Sequence, residues 1–314
     1  MLGAGASYDA GGPLVRDFFS RDSERSASIH RQYFDGIGKF EIMERMYRNW
    51  AQYETNPNVE SFFKRVEFQN LIDRDFEDPL NGDVVKPETF LRQLVWYINA
   101  YVRNSVAFQR NPPGYYFDFA RSLKRRGKRF SILTFNYDLV FERAIIDELG
   151  GVDYKLGKFR GDYTHSDGIP FLKLHGSLNW LWCRNCGRID IFDKPVGHKY
   201  NRVACTRRCG GYKEPLIVPP NPNKELYLHV VYDLWKKADK LLSGADRIVI
   251  AGYSLPEIDA SARELLLDHV RNTKRFDIIN SSIDSFHSIA RRLGRVSDTP
   301  LPTSFKDYVR TISD

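Results

Sequence analysis

Cysteine is scarce in this chain of 314 residues, with only 4. So few thiols in a chain of this length do not make the disulfide framework of a small secreted domain. Long apolar runs are missing too: none approaches the ~18 residues that a membrane helix needs, which sets a membrane-spanning helix aside. The opening MLGAGASYDA has neither a basic region nor an extended apolar one. It does not read as a secretory signal, so a cytoplasmic protein is the expectation. Internal repeats and low-complexity tracts are absent, and neither sign of charge dominates: 47 Lys and Arg stand against 40 Asp and Glu, a net charge of +7. That balance leaves a nucleic-acid partner open without pointing to one. The densest basic run, KRRGKR from Lys124 to Arg129, reads as a solvated helix end that turns at Gly127.

What is present is enough apolar surface for a core. Hydrophobic residues make up 42% and aromatics 14%, so one large domain or two modest ones can bury a sizeable interior. A glycine-rich loop, GAGASYDAGGP, runs from Gly3 to Pro13. From there to about Gly127 the pattern is helical. FEIMERMYRNW, VESFFKRVEFQNLI and PETFLRQLVWYINAYV repeat apolar residues at three- and four-residue steps. The texture changes at Arg129. RFSILTFNYD, PFLKLHG, DRIVIAGYS and RFDIIN read as strands. LVFERAIIDEL, KELYLHVVYDLWKKADKLL, DASARELLLDHV and SFHSIARRL read as helices. Strands alternating with helices predict a parallel sheet covered on both faces. Ligands of such sheets bind beyond the carboxyl ends of the strands. Here those ends carry GAGAS, TFNYD, LHGS, AGYS and IN, small, polar or chemically active residues that converge on one cleft.

Gly3 and Gly5 permit a tight turn and a close backbone approach to a phosphate, although a simple tight turn accounts for them equally well. The dinucleotide spacing Gly-x-Gly-x-x-Gly fails because position 8 is Tyr8. Cys183 and Cys186 are two residues apart, Cys205 and Cys209 three, with 18 residues between the pairs. Two close thiolate pairs suit a tetrahedral zinc ion, and four thiolates close the site, so the metal would be structural. His198, between the pairs, is an alternative ligand. A four-cysteine site leaves His175 without a metal role. At a strand end beside Gly176, it is placed for general-base work, or is a buried histidine bonded to backbone. Asn136 and Asp138 reach the same cleft.

In their order these elements resemble the sirtuin family: GAGAS at Gly3–Ser7, TFNYD at Thr134–Asp138, HG at His175, the four cysteines, GYSL at Gly252–Leu255, and IN ending at Asn280. The resemblance implies an α/β fold with a Rossmann-type parallel sheet, a large helical insertion and a small zinc-ribbon module. The corresponding spans are 1–17, 128–182 and 214–314 for the NAD-binding part, 18–127 for the insertion and 183–213 for the zinc module. It also implies that NAD is bound and consumed. Gly3, Ala4, Gly5 and Ser7 would hold the pyrophosphate, and Arg16 and Thr134 would belong to the same NAD site. His175 would act as base toward a ribose hydroxyl. Asn136 would orient a water or the ribose, Asp138 would meet the nicotinamide carboxamide, and Gly252, Ser254 and Asn280 would face the adenosine side.

Departures from the deacylating members narrow the reading. The Asp and Phe that follow their glycine loop are Leu14 and Val15 here, although Arg16 is kept, and the Gln before Asn136 is Phe135. The segment LIVPPNPNKE, Leu216–Glu225, replaces a peptide-binding stretch, and Pro219 and Pro220 lack backbone donors. GYSLPEID and the helical block are more similar to a divergent bacterial branch, several members of which hydrolyse NAD in anti-phage defence. The implied activity is therefore NAD hydrolysis to ADP-ribose and nicotinamide. The alternatives are an NAD-dependent protein deacylase and a non-catalytic module binding NAD or ADP-ribose. A toxic NADase needs restraint, so a homo-oligomer or a regulatory protein partner is expected. A sheet strand should precede the glycine loop, yet only Met1 and Leu2 are there to form one.

Overall fold

The computed structural model describes the chain except residues 37, 109–112, 126–128, 157–158, 161–167, 198–202, 206, 208, 219–224, 258 and 314. His198, the turn at Gly127 and the proline pair Pro219–Pro220 therefore lie outside the described residues.

Met1 and Leu2 enter the sheet just ahead of the glycine loop. Leu2 forms parallel bridges to Thr134 on one side and Ala251 on the other. Its N–H donates to Leu133 O at 2.9 Å, and its own carbonyl accepts from Phe135 N at 3.1 Å. On the opposite edge Gly3 N donates to Ala251 O at 3.0 Å and Ala251 N to Met1 O at 2.8 Å. Leu2 thus joins two parallel half-sheets. Ile132–Thr134 pairs with Ile169–Lys173, which pairs with Val152–Asp153. Arg247–Ala251 pairs with Arg275–Ile279. These central strands are mostly apolar and buried, with Lys173 and Asp277 as buried charged exceptions, as expected where helices cover both sides of a parallel sheet. Tyr115–Arg125, Val140–Leu149 and Phe305–Ser313 form one packed group of helices, and Glu225–Ser243, Ala260–Asn272 and Ile283–Leu293 another.

A second sheet follows directly on the first. Gly176–Cys183 follows Lys173 with only two residues between and pairs antiparallel with Ile189–Ile191 and with Tyr212–Ile217. All eight of its residues are buried. Leu178 packs in one core, while Trp180 and Trp182 pack in the other, so this strand links them. The first core surrounds the parallel sheet. The second is made by the insertion, with Gly38–Ala51, Val59–Leu71 and Pro87–Phe108 meeting around stacked rings such as Phe19 and Tyr97, 4.3 Å apart. Tyr116 and Ala120, on the helix Tyr115–Arg125, pack in the sheet's core. Among the described residues no helix is long and apolar enough to cross a membrane.

The insertion carries one charge at a cost. Glu67 is 7% exposed, and its Oε2 finds no hydrogen-bond partner among the described residues. Burial pushes its carboxyl up from the usual range to about 7. A raised folded-state value means that the folded protein holds the proton more tightly than the unfolded chain, so stability falls as pH rises through the window from 4.5 to about 7. Glu67→Gln, which mimics the protonated form, should raise the melting temperature at pH 8 and leave it nearly unchanged at pH 5. Thermal unfolding at the two pH values checks this.

Candidate functional site

Four strand ends and the insertion enclose a cleft of about 690 Å³. Its position follows from two glycine loops that lock back to back. Gly5 N donates to Gly252 O at 2.8 Å. Gly252 has φ +61, and a Cβ there would stand 2.0 Å from Ala6 N. A Cβ on Gly3 would lie 2.6 Å from Tyr253 Cα. No side chain fits at Gly3 or Gly252, and one at Gly5 would press on Gly252 O at 3.0 Å, which explains GAGAS and GYS as a pair and not as separate turns. Gly176 is similarly constrained, with φ +82 and a Cβ position 2.0 Å from Leu216 O.

Asn136 sits in the wall with its amide fixed. Nδ2 donates to Gly3 O at 2.9 Å and to Ser7 Oγ at 3.1 Å. Both amide hydrogens are thereby engaged, and Oδ1 is the atom left to offer a ligand. It is an acceptor, suited to a hydroxyl or a water. Ser7 Oγ in turn donates to Asp138 Oδ2 at 2.8 Å. Asp138 Oδ1 accepts from Val140 N at 3.0 Å at the start of the following helix. Below it, Lys173 Nζ donates to Asp138 O and forms a fully buried ion pair with Glu142, both at 2.5 Å. Removing one partner of such a pair costs more than the pair contributes, so this loop is held firmly.

His175 stands opposite, 3% exposed. Its ring lies 4.9 Å from Phe135 and 6.5 Å from Trp235, and its carbonyl accepts from Val218 N at 2.8 Å. Nε2 is 3.4 Å from Asp259 Oδ2, the oxygen that also accepts from Tyr253 OH at 2.5 Å. Burial, with the Asp259 carboxylate adding to it, holds the Tyr253 phenol well above its usual value. Burial does the same for Tyr137, with Glu60 and Asp259 contributing. Both phenols therefore stay protonated and act as donors.

Of the residues expected from sequence, Ala4, Gly5, Arg16, Asn136, Asp138, His175, Gly252, Ser254 and Asn280 line this one cleft. Gly3, Ser7 and Thr134 stand one layer behind its wall. Ser7 braces Asn136 and Asp138, while the Thr134 hydroxyl donates to Leu2 O at 3.2 Å and accepts from Asn136 N at 3.0 Å. They are absent from the described lining and support the residues in front of them. Sequence reading missed Asp259, and it missed Glu60, Phe63, Ile98 and Val102, which the insertion contributes to the lining. Glu60 follows an Asn58 cap that accepts from Ser61 N at 3.0 Å, so in sequence it looks like an ordinary first-turn acid. Among the described lining residues Arg16 is the sole Lys or Arg, against the carboxylates of Glu60, Asp138 and Asp259.

The four cysteines do come together. All four Sγ atoms lie within 4.8 Å of one another, with Cys183 and Cys209 3.5 Å apart and Cys186 and Cys205 3.6 Å apart. Two backbone bonds fold the supporting turns, Gly187 N to Cys183 O at 2.8 Å and Cys205 N to Gly211 O at 2.9 Å. Zn–S bonds of ~2.3 Å in a tetrahedron fit such a cluster, and the donor set is compatible with structural zinc.

No protein-family model matches the chain. A curated relative, NAD-dependent protein deacylase 2 of Pyrobaculum aerophilum, is 25% identical over 177 residues, covering 55% of this chain and 57% of the relative. The chain thus spans little more than half the length of the curated relative it matches. Among solved structures, a triple mutant of a Sir2 homologue in complex with 2′-O-acetyl ADP ribose superposes with TM-score 0.53 at 16% identity, over 99% of this chain and 88% of that one. A Sir2 homologue–NAD complex gives TM-score 0.48 at 16% identity, over 99% and 86%. A parallel sheet with helices packed against it, joined to a small sheet that gathers four cysteines, has the fold of the Sir2 homologues.

Proposed function

We propose that this chain binds NAD in the cleft and hydrolyses it to ADP-ribose and nicotinamide. One observation carries the reading: a strand-end histidine, an asparagine presenting only an acceptor, and a glycine-loop wall all face the same cleft. Arg16, beside the glycine loop, takes the pyrophosphate, where positive charge is needed. The carboxylate-rich end, with Asp138, Glu60 and Asp259, takes the nicotinamide and its ribose. Nicotinamide is cationic in NAD, and cleavage of its bond to C1′ moves that positive charge onto the ribose. Fixed carboxylates in a water-poor cleft favour both states. In the reaction the C1′–N bond breaks and its electron pair goes to nicotinamide. A water oxygen bonds to C1′, and the proton it loses passes to His175 or to solvent. Asn136 Oδ1 orients the water or a ribose hydroxyl. The four cysteines hold zinc, which keeps the second sheet folded and takes no part in the reaction.

A second reading, an NAD-dependent protein deacylase, is favoured by the curated relative, whose name states that activity. Against it stand Leu14, Val15 and Phe135, which replace residues expected of deacylases, and the insertion, which lines the cleft. Nicotinamide release from NAD by the purified protein, with and without acylated peptides, separates the two. Release without peptide supports the hydrolase. Release only with peptide establishes the deacylase, and tight NAD binding with no release under either condition leaves a binding module. We further propose a role as effector in anti-phage defence, restrained by self-assembly or a partner protein. Equal activity of a verified monomer and any assembly would remove the need for restraint by assembly.

A further inference from the structure

We propose that Asp259 is a positioning residue for His175, holding the imidazole in its working orientation and favouring its protonated form. The inference rests on the proposed use of His175 as a base, and it goes beyond that reading by naming the group that makes the histidine one.

Asp259 is the N-cap of the helix Ala260–Asn272, yet its side chain makes no cap hydrogen bond. An aspartate at that place ordinarily accepts from the second or third helical N–H and stabilises the helix by about 1 kcal/mol. Here the carboxylate turns inward instead. It is 1% exposed, lies 3.4 Å from His175 Nε2 and accepts from the buried Tyr253 hydroxyl. Two residues in the segment before it have left-handed backbone. Gly252 has φ +61 and Leu255 φ +50, the latter an uncommon value for a leucine, and Leu255 is wholly buried. A forgone cap, a buried charge and a left-handed leucine are each unfavourable alone, and together they put one carboxylate oxygen beside one imidazole. The other ionisable groups described at this end of the cleft are Tyr137, Tyr253, Glu60 and Asp138. The two phenols stay protonated, Asp138 is tied to Ser7 and Val140, and Asp259 sets its carboxylate 3.4 Å from the imidazole Nε2.

The physical effect is twofold. A carboxylate at this distance favours the imidazolium over the neutral ring, which strengthens the ring as a proton acceptor. It also fixes which way the ring faces, as an orienting acid does in other acid–base pairs. The contact is longer than a closed hydrogen bond, as is common in ligand-free sites that tighten around substrate.

The test reads the histidine itself, apart from turnover. NMR pH titration of protein with isotope-labelled histidine, with the His175 signal assigned by its loss in His175→Ala, compares wild type with Asp259→Asn. The titration midpoint of His175 should move to lower pH by about 1 unit or more in the asparagine variant. An unmoved midpoint in a folded variant overturns the proposal. If Asp259→Asn does not fold, Tyr253→Phe serves. Removing a donor makes the carboxylate more basic, so the midpoint should rise, and no rise counts against the proposal. With active enzyme, Asp259→Asn should lower kcat for nicotinamide release about 100-fold or more, with KM within about threefold, and the acidic limb of the pH profile should follow the NMR midpoint. Wild-type protein inactive under all conditions would defeat the hydrolase reading while the titration still decides the Asp259–His175 pairing.

Discussion

Replacing His175 by alanine should lower nicotinamide release by about 10²–10⁴-fold, the contribution of a positioned acid–base group, while NAD still binds. The separation is expected because the histidine's two connections are distinct. Its backbone carbonyl closes the bond from Val218 N, which alanine keeps. Its ring faces Asp259 and the aromatic wall of Phe135 and Trp235, which alanine loses. In the proposed reading NAD is held elsewhere, by Arg16 and the interlocked loops of Gly5 and Gly252. Calorimetric titration with NAD beside the rate measurement gives both quantities on one sample. A variant that turns over as fast as wild type would remove His175 from the chemistry. One that no longer binds NAD would show that the ring is part of the wall and not a base.

The second large effect concerns the cysteines. Purified protein should contain one zinc per chain, and Cys205→Ser should release it and lower the melting temperature sharply. Metal held by four thiolates contributes on the order of 10 kcal/mol to the folding of isolated finger peptides. Here the sheet has its own core, so only part of that is at stake. Catalysis should fall too, although the cluster lies outside the cleft. The strand Gly176–Cys183 begins next to His175 and ends at the first cysteine, and Ile217, beside the segment that bonds the His175 carbonyl, pairs with Gly176. Disorder at the metal end therefore loosens both supports of the histidine. Elemental analysis and thermal unfolding check the first part, and the rate of the metal-free variant checks the second. A metal-free wild type with unchanged stability would make the cluster four reduced thiols and nothing more.

The sheet was legible because buried parallel strands read as short apolar runs that end where the polar residues begin. ILT before FNYD and RIVIA before GYS show this directly. Convergence on one cleft followed from topology alone, and His175, Asn136 and Asp138 all line it. What was hidden depends on contacts that no local pattern encodes. Asp259 reads as a helix cap, because the preference for aspartate at that position is the same whether or not the side chain caps. Glu60 reads as a solvated first-turn acid on an amphipathic helix. The second sheet escaped notice because only Leu174 and His175 separate Lys173 from Gly176, so two strands in different sheets look like one strand and a turn. Ser7 and Thr134 were placed against the ligand because small hydroxyl residues in a glycine loop or at a strand end serve equally as contacts or as braces.

Leu2 has a consequence for the order of events during synthesis. Its partners are Thr134 and Ala251, so the centre of the sheet joins the beginning of the chain to a segment made far later. Contacts of such sequence separation form slowly and close large loops. On the ribosome the insertion, with its own aromatic core, is complete long before Ala251 has been made. The glycine loop must wait unpaired on that side until GYS emerges to lock against it. The cleft therefore cannot close before Ala251 and Gly252 have been made, and a chain stopped short of them lacks one wall of the proposed NAD site.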